Sequence, residues 1–329
     1  MAAVQTARRK NGEGAEILMP TQAGLLPQGL RDRLPGEAAA QARVVAALLG
    51  SIEARGYDRV APPLAEFEDG LAARLKSSRT DLARFVDPLS QRTLAIRPDM
   101  TPQIARIVST QLAAVPRPLR LSYAGSVLKL GTTQLNPQRE SVQVGAELIG
   151  DDSVAAACEI AGIAVSALKA AGVEGITVDL TMPDLVQTLA GLVLTPEQIA
   201  QLDRLLDMKD AGGLADAGFA DWLPLIAATG TVAPALDALR AFDHAGLMTS
   251  RITGIEAIAA SLMDTGVRVT IDPTERHGFE YQSWFGFSLF LSGGANTVGR
   301  GGSYTIRHSD GHDEPATGFS VYPDGFTPR

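Results

Sequence analysis

Two stretches of alternating polarity, Leu119 to Val127 and Glu140 to Ile149, flank a polar, turn-rich run from Lys129 to Gln138. A period of two places successive side chains on opposite faces of a strand, so both stretches read as half-buried strands. Joined by that loop they make a long antiparallel hairpin, which needs further strands and a covering layer to be stable in water. Gln143 and Glu147 lie four apart on the second strand and therefore share a face. A carboxylate and an amide buried there cost several kcal/mol unless a partner, a cation or a ligand satisfies them, whereas on a solvent face they cost nothing. Both possibilities are open at this point.

The rest of the chain supplies the covering layer. A helix is expected from Pro35 to about Ala54, with Val45, Leu48, Leu49 and Ile52 on one face, stopping at Gly56. Tyr57 to Pro63 is extended, and Pro62 and Pro63 confine it to an edge or an interface. Two short strands are expected between Arg84 and Arg97 around Asp87-Pro88, then a helix with Thr101 as N-cap and Pro102 at its first position. Asp99 or Thr101 can serve simply as that cap. Asp151 or Asp152 caps a helix running to about Ala170, and Ile176 to Leu180 is a strand. From Pro183 to Met263 the pattern changes to short amphipathic helices, one of them starting at Thr195 with Gln198 in the capping-box position. Strands return at Val267 to Ile271, Phe285 to Leu291 and Thr317 to Tyr322, and the Gly-rich Ser292 to Gly302 reads as a hairpin loop or as a surface for a small ligand. The organisation expected is one α+β domain over residues 21–182 and 267–329, a helical insertion over 183–266, and a flexible tail over 1–20.

Composition removes several functions. Lys plus Arg number 29 against 37 Asp plus Glu, a net charge of −8, which is the wrong balance for a chain that wraps nucleic acid. The single cysteine, Cys158, forms neither an internal disulfide nor a Cys-based zinc site. His308 and His312 lie four apart beside Asp310, Asp313 and Glu314, but Gly311 and the local polarity favour an exposed loop, and no metal is expected. No run approaches the ~18 apolar residues of a membrane helix, and the N-terminus lacks a signal-peptide core, so a cytoplasmic location is expected. The glycines lack the Gly-Lys-Ser/Thr ending of a phosphate loop, no nucleophile elbow occurs, and no cofactor is expected.

Taken in order, several segments resemble the catalytic domain of class II aminoacyl-tRNA synthetases of the histidyl type. Gly29 to Glu37 is similar to the N-terminal segment, Gly56-Tyr57 through Glu66 to the dimer-forming motif 1, and Ile96-Arg97-Pro98-Asp99-Met100-Thr101 to the strand that holds the amino acid's ammonium group. Ser122-Tyr123-Ala124-Gly125 through Gln143-Val144-Gly145-Ala146-Glu147 is similar to motif 2, and Gly318 to Phe326 to motif 3. The fold implied is a class II synthetase-like antiparallel sheet flanked by helices. The resemblance implies an amino-acid site in which Asp99 and Thr101 contact the ammonium group, Gln143 assists, and Glu147 pairs with an imidazole, with Tyr281 as one retained family tyrosine.

The departures decide the activity. Lys129, Gly131, Thr132 and Pro137 stand where motif 2 of the enzymes carries its charged residues, leaving Lys129 and Arg139 as residual anion contacts. Gly325 replaces the ATP-stacking arginine, His277 the catalytic arginine before Gly278, and Gln282 the second tyrosine. Charge-assisted contacts to the phosphates are what adenylate formation needs, so aminoacylation is not expected. With no anticodon-binding domain and no tRNA expected, the chain is similar to the regulatory-subunit family of ATP phosphoribosyltransferase. That resemblance implies a non-catalytic subunit without catalytic residues of its own, a short-form catalytic subunit as partner, self-association as a dimer, and L-histidine as feedback effector in histidine biosynthesis. The insertion offers a surface for the partner. The competing readings are an amino-acid-activating ligase and a scaffold that no longer binds histidine.

Overall fold

In the computed structural model the described residues are 25–72, 81–131, 137–191, 193–276, 282–292, 297–308 and 310–327. The tail over 1–20, Thr132, His277, Gly278, Tyr281 and the central glycines of the Gly-rich stretch therefore lie outside the described residues.

The chain opens with α1 (Pro35–Glu53), whose buried Leu48, Leu49 and Ile52 form the predicted stripe. β1 (Asp58–Arg59) follows and lies at the sheet edge, where the prolines after it can do no harm to a ladder. β2 (Ala65–Phe67), α2 (Glu68–Ala72), β3 (Arg84–Val86) and β4 (Thr93–Ile96) come next, and the three strands make a small sheet in the order β2-β4-β3. α3 (Thr101–Ser109), β5 (Leu119–Leu128), β6 (Glu140–Ile149), α4 (Val154–Ala170) and β7 (Ile176–Thr181) complete the first half. β5 and β6 pair antiparallel over their whole lengths, from Leu119 opposite Ile149 to Leu128 opposite Glu140.

After β7 come α5 (Leu185–Ala190), α6 (Pro196–Asp207), α7 (Ala211–Asp216), α8 (Pro224–Ala227), the two-residue β8 (Gly230–Thr231), α9 (Val232–Phe242) and α10 (Thr249–Met263). β9 (Arg268–Ile271), β10 (Gln282–Leu291), β11 (Thr297–Arg307) and β12 (Asp313–Val321) close the chain. The large sheet runs β1-β5-β6-β12-β11-β10-β7-β9-β8. Its pairs are antiparallel except β1 with β5 and β7 with β9, which are parallel. A parallel pair needs a crossover connection, and the helices α5 to α10 are the crossover between β7 and β9. One face of the sheet carries Val144, Ala146, Leu148, Phe287, Leu289, Phe319 and Val321 into a core shared with α1, α4 and α10. The other face packs Leu119, Leu121, Tyr123, Ile149, Tyr304 and Ile306 against Met100, Ile104 and Val108 beside α3.

Three details differ from the sequence expectation. The N-cap of α3 is Met100, with Thr101 already helical, because Asp99 Oδ1 accepts the Thr101 N–H and does the capping one residue earlier. The cap of α4 is Ser153, whose hydroxyl accepts the Ala156 N–H, while Asp151 receives the N–H of Ser153 itself. Thr297 to Gly302 is not loop but strand, paired to β10 and β12 on both sides. Its glycines serve packing: a Cβ on Gly301 would collide with the Phe287 ring and come within 2.6 Å of the Gly318 carbonyl oxygen. The capping box of Thr195 and Gln198 is as expected.

Gly301→Ala is expected to lower the unfolding free energy by about 1–3 kcal/mol through overpacking. Gly162→Ala, in mid-α4 with nothing near its added methyl, is expected to raise it by roughly 0.5–1 kcal/mol. Chemical denaturation of the two variants beside the parent chain checks both signs.

Candidate functional site

The face that α3 covers at one end becomes polar further along the hairpin. β6 places Gln143 and Glu147 on this face, and both are buried, Glu147 at 1% exposure. Burial rather than a solvent face is thus what the structure shows, and partners follow as the physics requires. Glu147 Oε1 accepts from Tyr123 OH at 3.0 Å and from Thr101 Oγ1 at 3.2 Å, and Oε2 accepts from Tyr304 OH at 2.9 Å. Gln143 Nε2 donates to Asp99 Oδ1 at 2.8 Å and Ser320 Oγ at 2.7 Å, while its Oε1 receives the Met100 N–H at 2.9 Å. Thr101 belongs to both halves: its N–H caps onto Asp99 and its hydroxyl reaches Glu147. Asp99, Thr101, Gln143 and Glu147 are therefore brought into one connected network.

The floor beside Glu147 is made of glycine. Glu147 pairs with Gly318, Gly318 with Gly302 and Gly302 with Gly286, so three adjacent strands carry no side chain in the same row. The resulting trough is partly filled from within. A Cβ on Gly318 would strike the Glu147 carboxylate, and one on Gly302 the Gln282 amide. Tyr304, Tyr123 and Ser320 complete the wall; the first and last were not singled out from sequence. Tyr304 follows Gly302 by two on the same strand face, and that periodicity would have found it had Gly302 been read as strand.

The electrostatics follow from burial. Desolvation pushes the Glu147 carboxyl up to about 8, against the lowering effect of its tyrosine donors, and the Asp99 charge adds to the rise. The Tyr123 hydroxyl is driven well above its ordinary value by desolvation and by the Glu147 and Asp99 charges. Half-buried Tyr322 is raised too, by desolvation and then by Asp99, with Arg300 opposing.

Lys129 and Arg139, expected from the sequence as residual anion contacts, lie toward the outer end of the hairpin. Exposed Lys129 has its Nζ 5.5 Å from the Tyr322 ring centroid, and Arg139 packs its stem against Gly29. Asp324, one residue before Gly325, accepts from Arg33 at 2.7 Å, Gln41 at 2.8 Å and the Val142 N–H at 2.8 Å, which fixes the last turn to α1 and β6.

His308 is not on an exposed loop: it is buried at the β11–β12 turn, its ring stacked on His312 with centroids 3.9 Å apart. The one metal-ligand cluster among the described residues is His308, His312 and Glu314. There the Glu314 carboxylate is engaged by the Arg117 guanidinium and by His308 Nε2 at 2.8 Å, so an internal cation already holds it.

The large, mostly antiparallel sheet with its flanking helices defines a domain of the class II synthetase type. A model of the histidyl-tRNA synthetase family matches residues 29–326. The ATP phosphoribosyltransferase regulatory subunit of Rhodospirillum centenum is 43% identical over 310 residues, covering 91% of this chain and 79% of that one. A crystal structure described as an ATP phosphoribosyltransferase regulatory subunit/histidyl-tRNA synthetase from Bacillus halodurans superposes with a TM-score of 0.82 at 25% identity, over 93% of this chain and 82% of that one. An ATP phosphoribosyl transferase complex from Thermotoga maritima shares the fold, with a TM-score of 0.67 at 16% identity over 86% of this chain and 97% of that one. The chain belongs to the ATP phosphoribosyltransferase regulatory subunits, the histidyl-tRNA synthetase-like family of histidine biosynthesis. Among the described residues no helix is long and apolar enough to cross a membrane.

The raised Glu147 value gives a pH test. Between the usual carboxylate range and about 8 the folded chain keeps a proton that the unfolded chain has released. Stability from this group is therefore complete below that range and is lost as pH rises through about 8. Thermal melts of the parent chain from mildly acidic to mildly alkaline pH should fall more steeply than those of Glu147→Gln, which cannot titrate. Parallel curves would contradict the assignment.

Proposed function

We propose that the chain is a non-catalytic cytoplasmic subunit that joins a short-form ATP phosphoribosyltransferase catalytic subunit, activates it and delivers feedback inhibition by L-histidine bound at the Glu147 network. The single observation that carries this is the pairing of two carboxylates through Thr101: Asp99 at the outer side and Glu147 at depth. Histidine has a cationic or proton-donating group at each end, and this spacing of acceptors suits both. A carboxylate accepts about four hydrogen bonds, and the charge of a bound imidazolium would favour the ionised form of Glu147 that burial alone disfavours below about 8. Glu147 takes three from the described residues, which leaves an acceptor position for an imidazole N–H. Tyr281 is assigned to the same pocket by family resemblance alone.

Synthesis of an adenylate is not part of this proposal. Gly325 sits at the motif 3 position with Val298 Cγ1 3.3 Å from where its Cβ would be, and exposed Pro137 stands at a motif 2 position where the enzymes carry arginine. Amino-acid-dependent ATP–pyrophosphate exchange is accordingly expected at background.

We assign self-association to the motif 1-like segment. Its support is a groove of about 540 Å³ that Arg59 of this segment lines together with Ala42, Val45 and Leu49 of α1 and Ala124 and Val142 of the hairpin. The helical block over 183–266 is assigned to the catalytic partner. Its support is a clamp: Arg276 pairs with Asp203 at 3.0 Å, bonds the Pro183 carbonyl at 2.6 Å, and gives its own N–H to Asp207 at 2.7 Å. Arg276 follows β9 by five residues, so displacement of α6 would be felt where the chain leaves the large sheet. Coupling of that kind makes histidine and the partner's active state report on one equilibrium.

Activity of the host's short catalytic subunit, assayed with and without this chain across a histidine titration, tests the proposal. Activation and histidine inhibition should both require the chain. Glu147→Gln and Asp99→Asn should retain activation yet need roughly tenfold or more histidine for inhibition, as loss of a charge-assisted hydrogen bond implies. Unchanged rate and inhibition on adding the chain would refute it.

A further inference from the structure

We infer that Arg300 on β11 is the carboxylate-binding residue of this amino-acid site, and that the site therefore selects ligands with a free α-carboxylate. This rests on the reading of the Glu147 network as an amino-acid site and adds the group that reads the third functional end of the ligand.

The register places Arg300 at the site. It stands directly opposite Ser320 on β12 and Ser288 on β10. Ser320 Oγ belongs to the network through Gln143 and Tyr123, so it points to the site face. Residues directly opposite in an antiparallel pair share a face, with Cβ atoms about 4.5–5.5 Å apart. Arg300 therefore emerges on the same face as Gln143 and Glu147. The alternation on β11 agrees: Gly299 and Gly301 face Val321 and Phe287 on the core side, leaving Arg300 and Gly302 on the other.

Position along the trough matters as much as face. Gly302 is part of the glycine floor, and Arg300 is two residues away on the same strand, at the rim. Arg300 is half-buried there, with its Nε fully buried. Asp99 and Arg300 both act on half-buried Tyr322 with opposite sign, which sets an anion and a cation around one phenol ring. An α-amino acid carries its two backbone charges on adjacent carbons, positive and negative. Asp99 with Thr101 and Gln143 suits the ammonium group, and Glu147 at depth suits a basic side chain. A planar guanidinium at the rim is the matching group for a carboxylate, which it can engage bidentately. Resemblance to the synthetases places their lost arginine at His277, and Arg300 supplies a cation from β11.

The test uses the complex of the full chain with its catalytic subunit and two probes, L-histidine and histidinol, in which a hydroxymethyl group replaces the carboxylate. Calorimetric titration should show histidine binding more tightly than histidinol by roughly 10- to 100-fold, the range of a charge-assisted contact. Arg300→Gln should bring histidine down to the histidinol level and leave histidinol within about a factor of three, a smaller change than loss of one such contact. Arg300→Lys, which keeps charge and stem, should retain part of the preference and guards against a variant that fails to fold. Equal weakening of both probes in Arg300→Gln, or an undiminished preference for histidine, overturns the assignment of Arg300 while leaving the site intact. If the parent complex binds neither probe, the amino-acid site itself is wrong and Arg300 falls with it.

Discussion

A carboxylate in the middle of a sheet is tolerable only if the neighbouring strands bring donors to it. Glu147 is such a group, and the surrounding strands are arranged to meet it: Tyr123 from β5, Tyr304 from β11, and Thr101 from the turn into α3. Losing one hydroxyl leaves part of a buried acid unsatisfied, which costs about 1–3 kcal/mol or more for a charged group. The register of β5, β6, β12 and β11 is thus constrained from the polar face as firmly as from the apolar one. A slip of one residue would turn Glu147 into the α4 core and Ala146 toward the hydroxyls.

A second anchor holds the same sheet from outside. Arg97 is buried under the small sheet, giving Nε to the Ser126 carbonyl at 2.8 Å and a terminal nitrogen to the Pro62 carbonyl at 2.8 Å. Burial lowers its pKa, with Glu66 opposing. The prolines that keep 61–63 out of any ladder leave carbonyls without amide partners nearby, and Arg97 takes them. Asp99, two residues on, is thereby delivered to Gln143 from a fixed point. Stability and site geometry share a five-residue stretch.

Much of this was legible in the chain. Period-two alternation located β5 and β6, proline placement confined the 57–63 segment to an edge or an interface, and the Thr195–Gln198 pair marked a helix start. What escaped had a physical cause in each case. The glycines of β11 look like a turn because glycine usually supplies φ freedom, whereas here the requirement is space for Phe287 and the Gly318 carbonyl. His308 looked exposed beside Gly311, but its burial comes from Glu314 and Arg117, the latter nearly two hundred positions away in sequence. Tyr304 and Arg300 were hidden because the start of β11 reads as a turn, and their place at the site depends on strands that pair only in three dimensions. The candidate site was visible as Asp99, Thr101, Gln143 and Glu147; its walls were not.

The glycine row has a consequence for how this pocket can change over generations. Side-chain walls can be trimmed by mutation, so most binding sites can drift toward larger guests as well as smaller ones. A floor already reduced to bare backbone has nothing left to remove. Every substitution at Gly286, Gly302 or Gly318 adds volume, and at Gly318 it displaces the buried Glu147 carboxylate. Variation at the base of this site therefore runs in one direction, toward tighter discrimination or closure. Any broadening of ligand choice has to come from the rim.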